Sequence, residues 1–421
     1  MAGSGGLQYP RAQGQTVTVG RHSGLGRRRV DLSQKHKAPL WLLLAAWVAQ
    51  GVAYGRRLLR LGKSILVIKS DSLGDGLLFT GVVRLLRRKY PEHRLRLVCN
   101  VSTRPFWADN QHIDEILPIP SVQAADLRER IKRLKWGIAL LARPYDVVIN
   151  GVTDDDVFGH AVSRLAVAGR KVWYSLPSAS GGQYSDLAEC TVGSHELEKL
   201  LALCRVIGIE CARGRADIQP EFRIAQAHRD AARVRLAAAS SATRIRVAVC
   251  AGARFKCKAW PMERYVEVLR RVAAEHGPVQ ILLLGSELDR SLNDAIFQSI
   301  QSASVGAVQN LAGCLSLAES AALIGESDLC IGNDTFGLHL AIVTNTPSVV
   351  VMWGGDFGRW NPWGPVEQHG MAYHRMDCYG CHGQCIHPNY YCVSHIQVED
   401  VVSEVWRVLS GRRTPHRHKA A

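Results

Sequence analysis

Three short segments of the chain combine ionisable side chains with glycine where an apolar run gives way to a helical pattern. In the first, residues 70–76 (SDSLGDG), Asp75 falls between two glycines at the predicted start of a helix. A carboxylate in that position can take a proton from a hydroxyl group and act as a general base. Aspartate is also a favoured helix N-cap, and the capping role is the more common one for such a segment taken alone.

The second segment, residues 251–261 (AGARFKCKAWP), places Gly252 ahead of three cationic residues, Arg254, Lys256 and Lys258. A glycine-containing loop before a helix offers free backbone N–H groups to a phosphate, and the cations add positive charge beside them. On these residues alone, an ordinary basic loop is an equally good interpretation.

The third segment, residues 332–339 (GNDTFGLH), also joins a buried strand to a helix. Thr335 and the backbone amides that follow it are expected to point at a diphosphate. His339 is either a donor to that phosphate or a packed core histidine.

A fourth group consists of cysteines with the spacing C-x2-C-x3-C-x6-C: Cys378, Cys381, Cys385 and Cys392. This spacing is compact enough to surround a tetrahedral metal ion, and it predicts a structural zinc, with iron as the second choice. Unligated thiols and disulfides are the alternatives. The other eight cysteines are scattered through predicted strands and helices, which is typical of reduced thiols in a cytosolic protein.

These segments need a scaffold that brings them together, and the pattern from Ser64 onward predicts one. Apolar, strand-like runs alternate with helical periodicity, which indicates parallel strands in doubly wound sheets. Ser64–Lys69 and Arg244–Cys250 open two successive series of this kind, so we expect an α/β protein with two Rossmann-like domains. Ligands of such sheets bind at the carboxyl ends of the strands, where all three segments lie. Further strands are predicted at 94–99, 145–150, 279–284, 329–332 and 348–352, and helices at 77–88, 127–141, 195–207, 225–239, 262–275, 288–301, 317–325 and 398–409.

Length and composition agree with this arrangement. The chain has 421 residues, of which 47% are hydrophobic and 21% charged, as expected for a globular protein of two domains. Its formal charge of +15 suits phosphorylated ligands or an anionic membrane face, although the basic residues near both ends could equally be solvated arms. Basic residues that do not alternate with exposed aromatics argue against nucleic acid as a partner.

The segment 39–54 (PLWLLLAAWVAQGVAY) is apolar apart from Gln50. It is shorter than the roughly 20 residues that span a bilayer. Cationic residues flank it, and it contains aromatic residues, so we expect a helix lying on the cytoplasmic face of the membrane. Docking onto the protein's own surface is the main alternative, and a single span is a third. We expect residues 1–26 to lack a secretory signal and to be disordered.

Taken together, the three segments resemble glycosyltransferase family 9, the heptosyltransferase family. Four motifs occur in the family's order: SLGD at 72–75, GARFKCKAWP at 252–261, LAGCLSL at 311–317 and DTFGLHLA at 334–341. The resemblance covers about residues 64–410. It departs from the family where Phe336 replaces a glycine and Arg254 replaces a small hydroxyl residue, which leaves the individual phosphate contacts and the nucleotide open.

The resemblance implies a GT-B fold, with two Rossmann-like domains facing across a cleft. It assigns the catalytic base to Asp75 and neutralisation of the donor phosphate to Lys258. Donor binding falls to Gly252, Arg254, Glu287, Asp334, Thr335, Gly337 and His339. The implied enzyme is an inverting glycosyltransferase without a catalytic metal, which moves heptose or a related sugar from an ADP-heptose-like donor to lipopolysaccharide or another glycan or glycolipid.

The expected organisation follows from these assignments. We expect residues 1–63 to form a tail and a membrane-proximal helix, 64–225 the acceptor-binding domain, 226–397 the donor domain with the cysteine cluster at 378–392, and 398–421 a closing helix and basic tail. The enzyme would be cytoplasmic and peripheral on the inner face of the cytoplasmic membrane. Alternatives are a GT-B-fold nucleotide-sugar epimerase, a basic nucleic-acid-binding protein with a zinc knuckle, and a non-catalytic scaffold.

Overall fold

The structure is a computed structural model that describes residues 39–58, 63–120, 127–153, 156–175, 183–191, 193–237, 245–301 and 306–411. The expected disordered tail and both terminal basic segments lie outside these residues. The described chain folds as two α/β halves, each built on a parallel sheet of six strands.

The amino-terminal half alternates strands and helices from the first sheet strand onward. Its strands are β1 (Ser64–Lys69), β2 (Arg94–Cys99), β3 (Glu115–Pro118), β4 (Tyr145–Asn150), β5 (Ala168–Ser175) and β6 (Asp186–Glu189). Its helices are α1 (Leu40–Leu58), α2 (Leu73–Lys89), α3 (Arg104–Trp107), α4 (Leu127–Leu141), α5 (Val157–Leu165) and α6 (Glu196–Ile207). The strand order is β3-β2-β1-β4-β5-β6, so β1 and β4 flank the point where the order reverses.

The carboxyl-terminal half repeats this plan. Its strands are β7 (Ile245–Cys250), β8 (Val279–Leu283), β9 (Gly306–Asn310), β10 (Leu329–Asn333), β11 (Ser348–Val351) and β12 (His369–Ala372). Its helices are α7 (Gln226–Ala237), α8 (Met262–His276), α9 (Arg290–Gln301), α10 (Leu317–Gly325), α11 (Phe336–Val343), α12 (Tyr391–Ser394) and α13 (Val398–Ser410). Read from the other edge, the order is β9-β8-β7-β10-β11-β12, in which β7 and β10 take the places of β1 and β4.

The predicted α/β class and the two Rossmann-like domains are confirmed. The central strands are apolar and fully or almost fully buried, as β1 and β10 show, because helices cover both faces of a parallel sheet. Five strands that contain polar residues, namely β3, β5, β6, β9 and β12, were not predicted, since they lack a continuous apolar run.

The two halves pack directly against each other. The buried core of the amino-terminal half includes Trp363 and is contacted by Phe336 and Trp360, all three from the carboxyl-terminal half. Helix α13 buries Val401 and Val405 in the core of the second sheet. The switch points of the two sheets are therefore held close to one another.

Helix α1 confirms the prediction that residues 39–54 are helical, and it packs on α4. Its inner face consists mainly of small, buried side chains. Ala45 approaches Gly137 of α4 so closely that a Cβ added to Gly137 would lie 2.6 Å from the Ala45 Cβ. Its outer face is apolar but exposed, with Trp47 84% accessible. Among the described helices, none is both long and apolar enough to cross a membrane.

Candidate functional site

Asp75 lies in the first turn of α2, directly after the loop that follows β1. Its Oδ2 accepts a hydrogen bond from the Ser72 hydroxyl (2.6 Å), and its Oδ1 accepts one from the indole N–H of Trp360 (2.7 Å). The N-cap position belongs to Ser72, so the capping interpretation of Asp75 is wrong. Two hydrogen bonds hold the carboxylate in one orientation.

The charge of Asp75 is stabilised by its surroundings. Burial pushes its pKa upward, but the positive charge of Lys69, the hydrogen bonds from Ser72 and Trp360, and the charge of Arg359 hold it below the ordinary value of 3.8. Asp75 is therefore ionised at neutral pH.

A second carboxyl group, Asp71, lies close to Asp75 and behaves differently. Lys69 donates to Asp71 Oδ2 (2.6 Å) and to the carbonyl of Gly151 (2.9 Å). Burial raises the pKa of Asp71 to about 8 against the opposing charge of Lys69, and the negative charge of Asp75 adds to the rise. The two carboxyl groups therefore ionise in order, with Asp75 first.

Lys258 lies at the end of the loop after β7 and faces the end of β10. Its ammonium is 3.2 Å from Asp334 Oδ2 and also stands 4.8 Å from the ring centre of Trp353 and 5.6 Å from that of Trp360. Trp360 thus contacts both predicted catalytic residues, Asp75 through its N–H and Lys258 through its ring. The structure brings the first and second motifs into one site.

The third motif lies in the same place. Thr335 is the N-cap residue of α11, and a Cβ on Gly337 would lie 2.3 Å from the Cys250 sulfur, so glycine is needed for the helix to approach β7. His339 is buried; its Nδ1 accepts from Trp363 (2.9 Å), and burial lowers its pKa. These contacts make His339 a neutral, packed histidine in the first turn and a half of the helix.

The three remaining residues that were predicted to bind the sugar donor differ in their exposure to solvent. A Cβ on Gly252 would lie 2.2 Å from Asp289 Oδ1, which explains the glycine by close packing. Arg254 is exposed, with its guanidinium 5.5 Å from the Phe255 ring centre. Glu287 is exposed and forms a two-point ion pair with Arg290 (2.8 and 3.0 Å). The described contacts of both residues are local ones, Arg254 with Phe255 and Glu287 with Arg290.

The four clustered cysteines do not form the predicted site. In the described parts of the chain, no group of three or more histidine, cysteine, aspartate or glutamate side chains is arranged to hold a metal ion. All twelve thiols are free in the structure. The predicted zinc or iron is therefore not supported. Hydrogen bonds hold the segment instead: the amides of Gly380 and His382 donate to the carbonyls of Gly354 and Gly355.

Sequence reasoning missed several residues of the site, above all Arg359 and Trp360. Their segment follows β11 and lies outside the four motifs that carry the family resemblance. Glu196, Asn361 and Trp363 were missed as well, although the aromatic and charged content of residues 353–363 (WGGDFGRWNPW) was a usable signal.

Two parallel six-stranded halves, with ionisable loops meeting at their switch points, define a GT-B glycosyltransferase fold. Residues 133–390 match glycosyltransferase family 9 (heptosyltransferase), which is more than half of the chain. The chain therefore belongs to glycosyltransferase family 9.

Comparisons with individual proteins agree with the family. The chain is 24% identical over 302 residues to lipopolysaccharide heptosyltransferase 2 of Escherichia coli strain K12, covering 68% of this chain and 82% of that protein. The structure of E. coli ADP-heptose lps heptosyltransferase II has a TM-score of 0.63 and 20% identity, covering 83% and 100% of the two chains. E. coli heptosyltransferase WaaC with ADP-2-deoxy-2-fluoro heptose has a TM-score of 0.57 and 16% identity, covering 82% and 99%. Both structures share the fold.

Proposed function

We propose that this enzyme transfers heptose or a related sugar from a nucleoside diphosphate donor to lipopolysaccharide or another surface glycan, with inversion at the anomeric carbon and without a catalytic metal. The observation that carries the proposal is that Asp75 and Lys258 both contact one tryptophan, Trp360: Asp75 accepts its indole N–H, and the Lys258 ammonium stands 5.6 Å from its ring centre. An anionic base and a phosphate-binding cation thereby face the same small region from opposite halves of the molecule.

Asp75 acts as the general base. Because its carboxylate is ionised and held by two hydrogen bonds, it can accept the proton of an acceptor hydroxyl while that oxygen attacks the anomeric carbon. The new glycosidic bond forms on the face opposite the diphosphate. The bond from the anomeric carbon to the phosphate oxygen breaks, and its electron pair leaves with the nucleoside diphosphate.

Lys258 and the start of α11 receive the leaving group. The ammonium of Lys258 offsets the charge that develops on the diphosphate, and the amino-terminal end of α11, capped by Thr335, adds the positive end of a helix dipole. Gly252, Asp334, Gly337 and His339 shape the backbone and hold these donors, while Arg254 and Glu287 lie farther out, where the nucleoside would extend. Fixed cations and amides take the role that a divalent metal has in other transferases.

The donor proposed is ADP-heptose or a close analogue. Two solved relatives carry ADP-heptose in their names or hold an ADP-linked fluoro heptose, and this chain covers nearly their whole length. The acceptor proposed is a lipopolysaccharide core, by analogy with the lipopolysaccharide heptosyltransferases.

We further propose that the enzyme works on the cytoplasmic face of the membrane and that α1 holds it there. The outer face of α1 exposes Leu44, Trp47 and Val48, and α4, which packs on α1, exposes Arg128 and Lys135. Apolar side chains bordered by cations suit the interface of an anionic bilayer. A lipid-linked acceptor would then be presented to an enzyme already at its surface.

The test is a transfer assay with purified protein, ADP-heptose, and a heptose-acceptor lipopolysaccharide core, run with and without EDTA. We expect transfer unaffected by EDTA, an inverted anomeric configuration by NMR, and loss of activity in Asp75→Ala. Retention of configuration would overturn the mechanism. Conversion of the donor sugar without any acceptor would instead favour an epimerase.

A panel of UDP-, GDP- and ADP-linked sugars in a thermal-shift assay identifies the donor independently of the acceptor. Stabilisation by ADP-linked sugars alone is expected. Stabilisation by a different nucleotide would overturn the proposed donor, and stabilisation by none would favour a scaffold.

A further inference from the structure

The segment Arg359–Trp363, which we name the strap, belongs to the carboxyl-terminal half but reaches the amino-terminal half at several points. Trp360 donates to Asp75. The backbone N–H of Glu196 donates to the carbonyl of Arg359 (2.8 Å), and the Arg359 guanidinium donates to Glu196 Oε1 (2.8 Å). His195 makes a hydrogen bond to the Pro362 carbonyl (3.1 Å). The strap therefore joins the two halves beside the predicted base.

The strap is also anchored to the donor-binding motif in its own half. The side-chain amide of Asn361 donates to Asp334 Oδ1 (2.6 Å), and the indole N–H of Trp363 donates to His339 Nδ1 (2.9 Å). Asp334 is the residue that pairs with Lys258. Residues on either side of Trp360 are thus fixed, which leaves its indole little freedom.

The attachment of the strap to the amino-terminal half is buried. The Glu196 and Lys199 side chains are each 5% exposed, and the Glu196 carboxylate accepts from both Lys199 (2.7 Å) and Arg359. Arg359 also stacks on Trp360, with its guanidinium 4.2 Å from the ring centre. A buried carboxylate with two cationic partners fixes Arg359, and Arg359 in turn fixes the plane of the indole.

The geometry points to Trp360 as a positioning residue for Asp75, held in place by the strap that joins the donor-binding motif to the amino-terminal half. The base role of Asp75 rests on the function proposed above. The hydrogen bond from Trp360 to Asp75 and its effect on the carboxylate do not depend on that function. A diphosphate bound at Lys258 would meet an ammonium that stands 5.6 Å from the centre of the same indole, so the proposed donor site and the base share one neighbouring side chain.

A substitution that removes only the N–H tests this inference. In Trp360→Phe the ring and its contact with Lys258 are largely kept, whereas the hydrogen bond to Asp75 is lost. We expect kcat to fall about 10- to 100-fold, as for loss of a hydrogen bond to a charged group, with the donor KM within about twofold. The acidic limb of the kcat/KM profile should move to higher pH, because the lost hydrogen bond favoured the ionised carboxylate. Trp406→Phe, on α13, is the matched control and should change none of these values.

A readout that does not need activity separates this inference from the proposed function. The carboxyl carbon of Asp75, labelled with carbon-13, should titrate at a higher pH in Trp360→Phe than in the wild type. In the wild type, the indole Nε1–H resonance of Trp360 should shift with the same midpoint as Asp75, so the inference remains testable even if the variant does not fold. A wild-type protein without transfer activity would contradict the proposed function, and these titrations would then decide the role of Trp360 by themselves. Unchanged titration of Asp75, or an indole resonance that ignores it, would overturn the inference.

Discussion

Lys258 and Asp334 are paired at 3.2 Å across the carboxyl ends of two neighbouring strands, β7 and β10. The Asp334 side chain is 2% exposed, and its second oxygen accepts from Asn361. The cation expected to meet the donor phosphate is therefore already held by a buried anion in the described structure. A bound diphosphate must share Lys258 with Asp334, so the pair positions the ammonium before the donor arrives.

The first prediction concerns Lys258. Lys258→Ala removes the cation and leaves the buried Asp334 without its ionic partner, so it should abolish thermal stabilisation by ADP-sugar and lower the unfolding free energy by about 2 kcal/mol. The double variant Lys258→Met/Asp334→Asn should recover most of the stability but not the ligand response. Recovery of nucleotide binding in the double variant would contradict the role of Lys258.

The second prediction concerns pH and His195. Its Nδ1 accepts from the amide of Leu197 at the start of α6, and its Nε2 faces the Pro362 carbonyl, so the ring is bound in its neutral form. Burial lowers its pKa to about 3, and the charge of Arg215 acts in the same direction, against the Pro362 hydrogen bond.

The sign follows from this depressed pKa. The unfolded chain protonates His195 near the ordinary histidine pKa of about 6.5, whereas the folded chain does so only near pH 3. The contribution of His195 to the free energy of unfolding is therefore fully present above pH 6.5 and is lost as the pH falls from there toward 3. At pH 5 the loss from this group should be about 2 kcal/mol. Denaturant unfolding of the wild type and His195→Asn at pH 7 and pH 5 measures it, since asparagine can cap α6 without titrating. Equal pH dependence in the two proteins would refute the assignment.

The third prediction concerns the contact between α1 and α4. Gly137→Ala places a Cβ 2.6 Å from the Ala45 Cβ and 3.3 Å from the Trp41 ring, so it should loosen α1, at a cost of about 1–3 kcal/mol. Gly51→Ala on α1 meets nothing within 4 Å and should raise stability by up to about 1 kcal/mol through helix propensity. Thermal unfolding with hydrogen exchange of the α1 amides distinguishes the two. Slow hydrogen exchange of the α1 amides in Gly137→Ala would contradict this prediction, because it would show that α1 and α4 can separate slightly without loss of stability.

The fourth prediction concerns membrane binding. Trp47→Glu replaces the most exposed aromatic residue of α1 and should weaken binding to vesicles rich in phosphatidylglycerol about tenfold or more, because an indole that would enter the bilayer is lost and a negative charge is added. Val234→Glu on α7, where the valine is 72% exposed, is the matched control and should bind as the wild type does. Flotation assays at low and high salt provide the measurement. Similar losses in both variants would mean that charge, not α1, governs binding.

Much of the scaffold could be predicted from the sequence because apolar periodicity reflects burial. Strands β1, β2 and β4 were predicted with the observed bounds, while the short polar strands β6 and β9 were not, since their residues gain order mainly from neighbours in the sheet. Helix α2 begins four residues earlier than predicted, because its first turn contains the glycines that were read as a loop.

The predicted site was partial for a related reason. Asp75, Lys258 and Asp334 lie in local motifs, and the structure places them together. Trp360 contacts Asp75 across 285 positions of sequence, and no local sequence pattern predicts a contact over that separation. The cysteine spacing allowed a metal site, but spacing constrains only the chain distance between thiols and not the direction in which they point.

Because the two sheets share one strand order, the loop after β1 and the loop after β7 occupy equivalent positions in their halves. The ionised Asp75 follows β1, at the start of α2, whereas Arg254, Lys256 and Lys258 follow β7. Equivalent positions in the two halves thus carry side chains of opposite charge. For the proposed donor, an anionic diphosphate is favoured beside Lys258 and disfavoured beside Asp75, so this difference in charge between equivalent positions would orient the substrate.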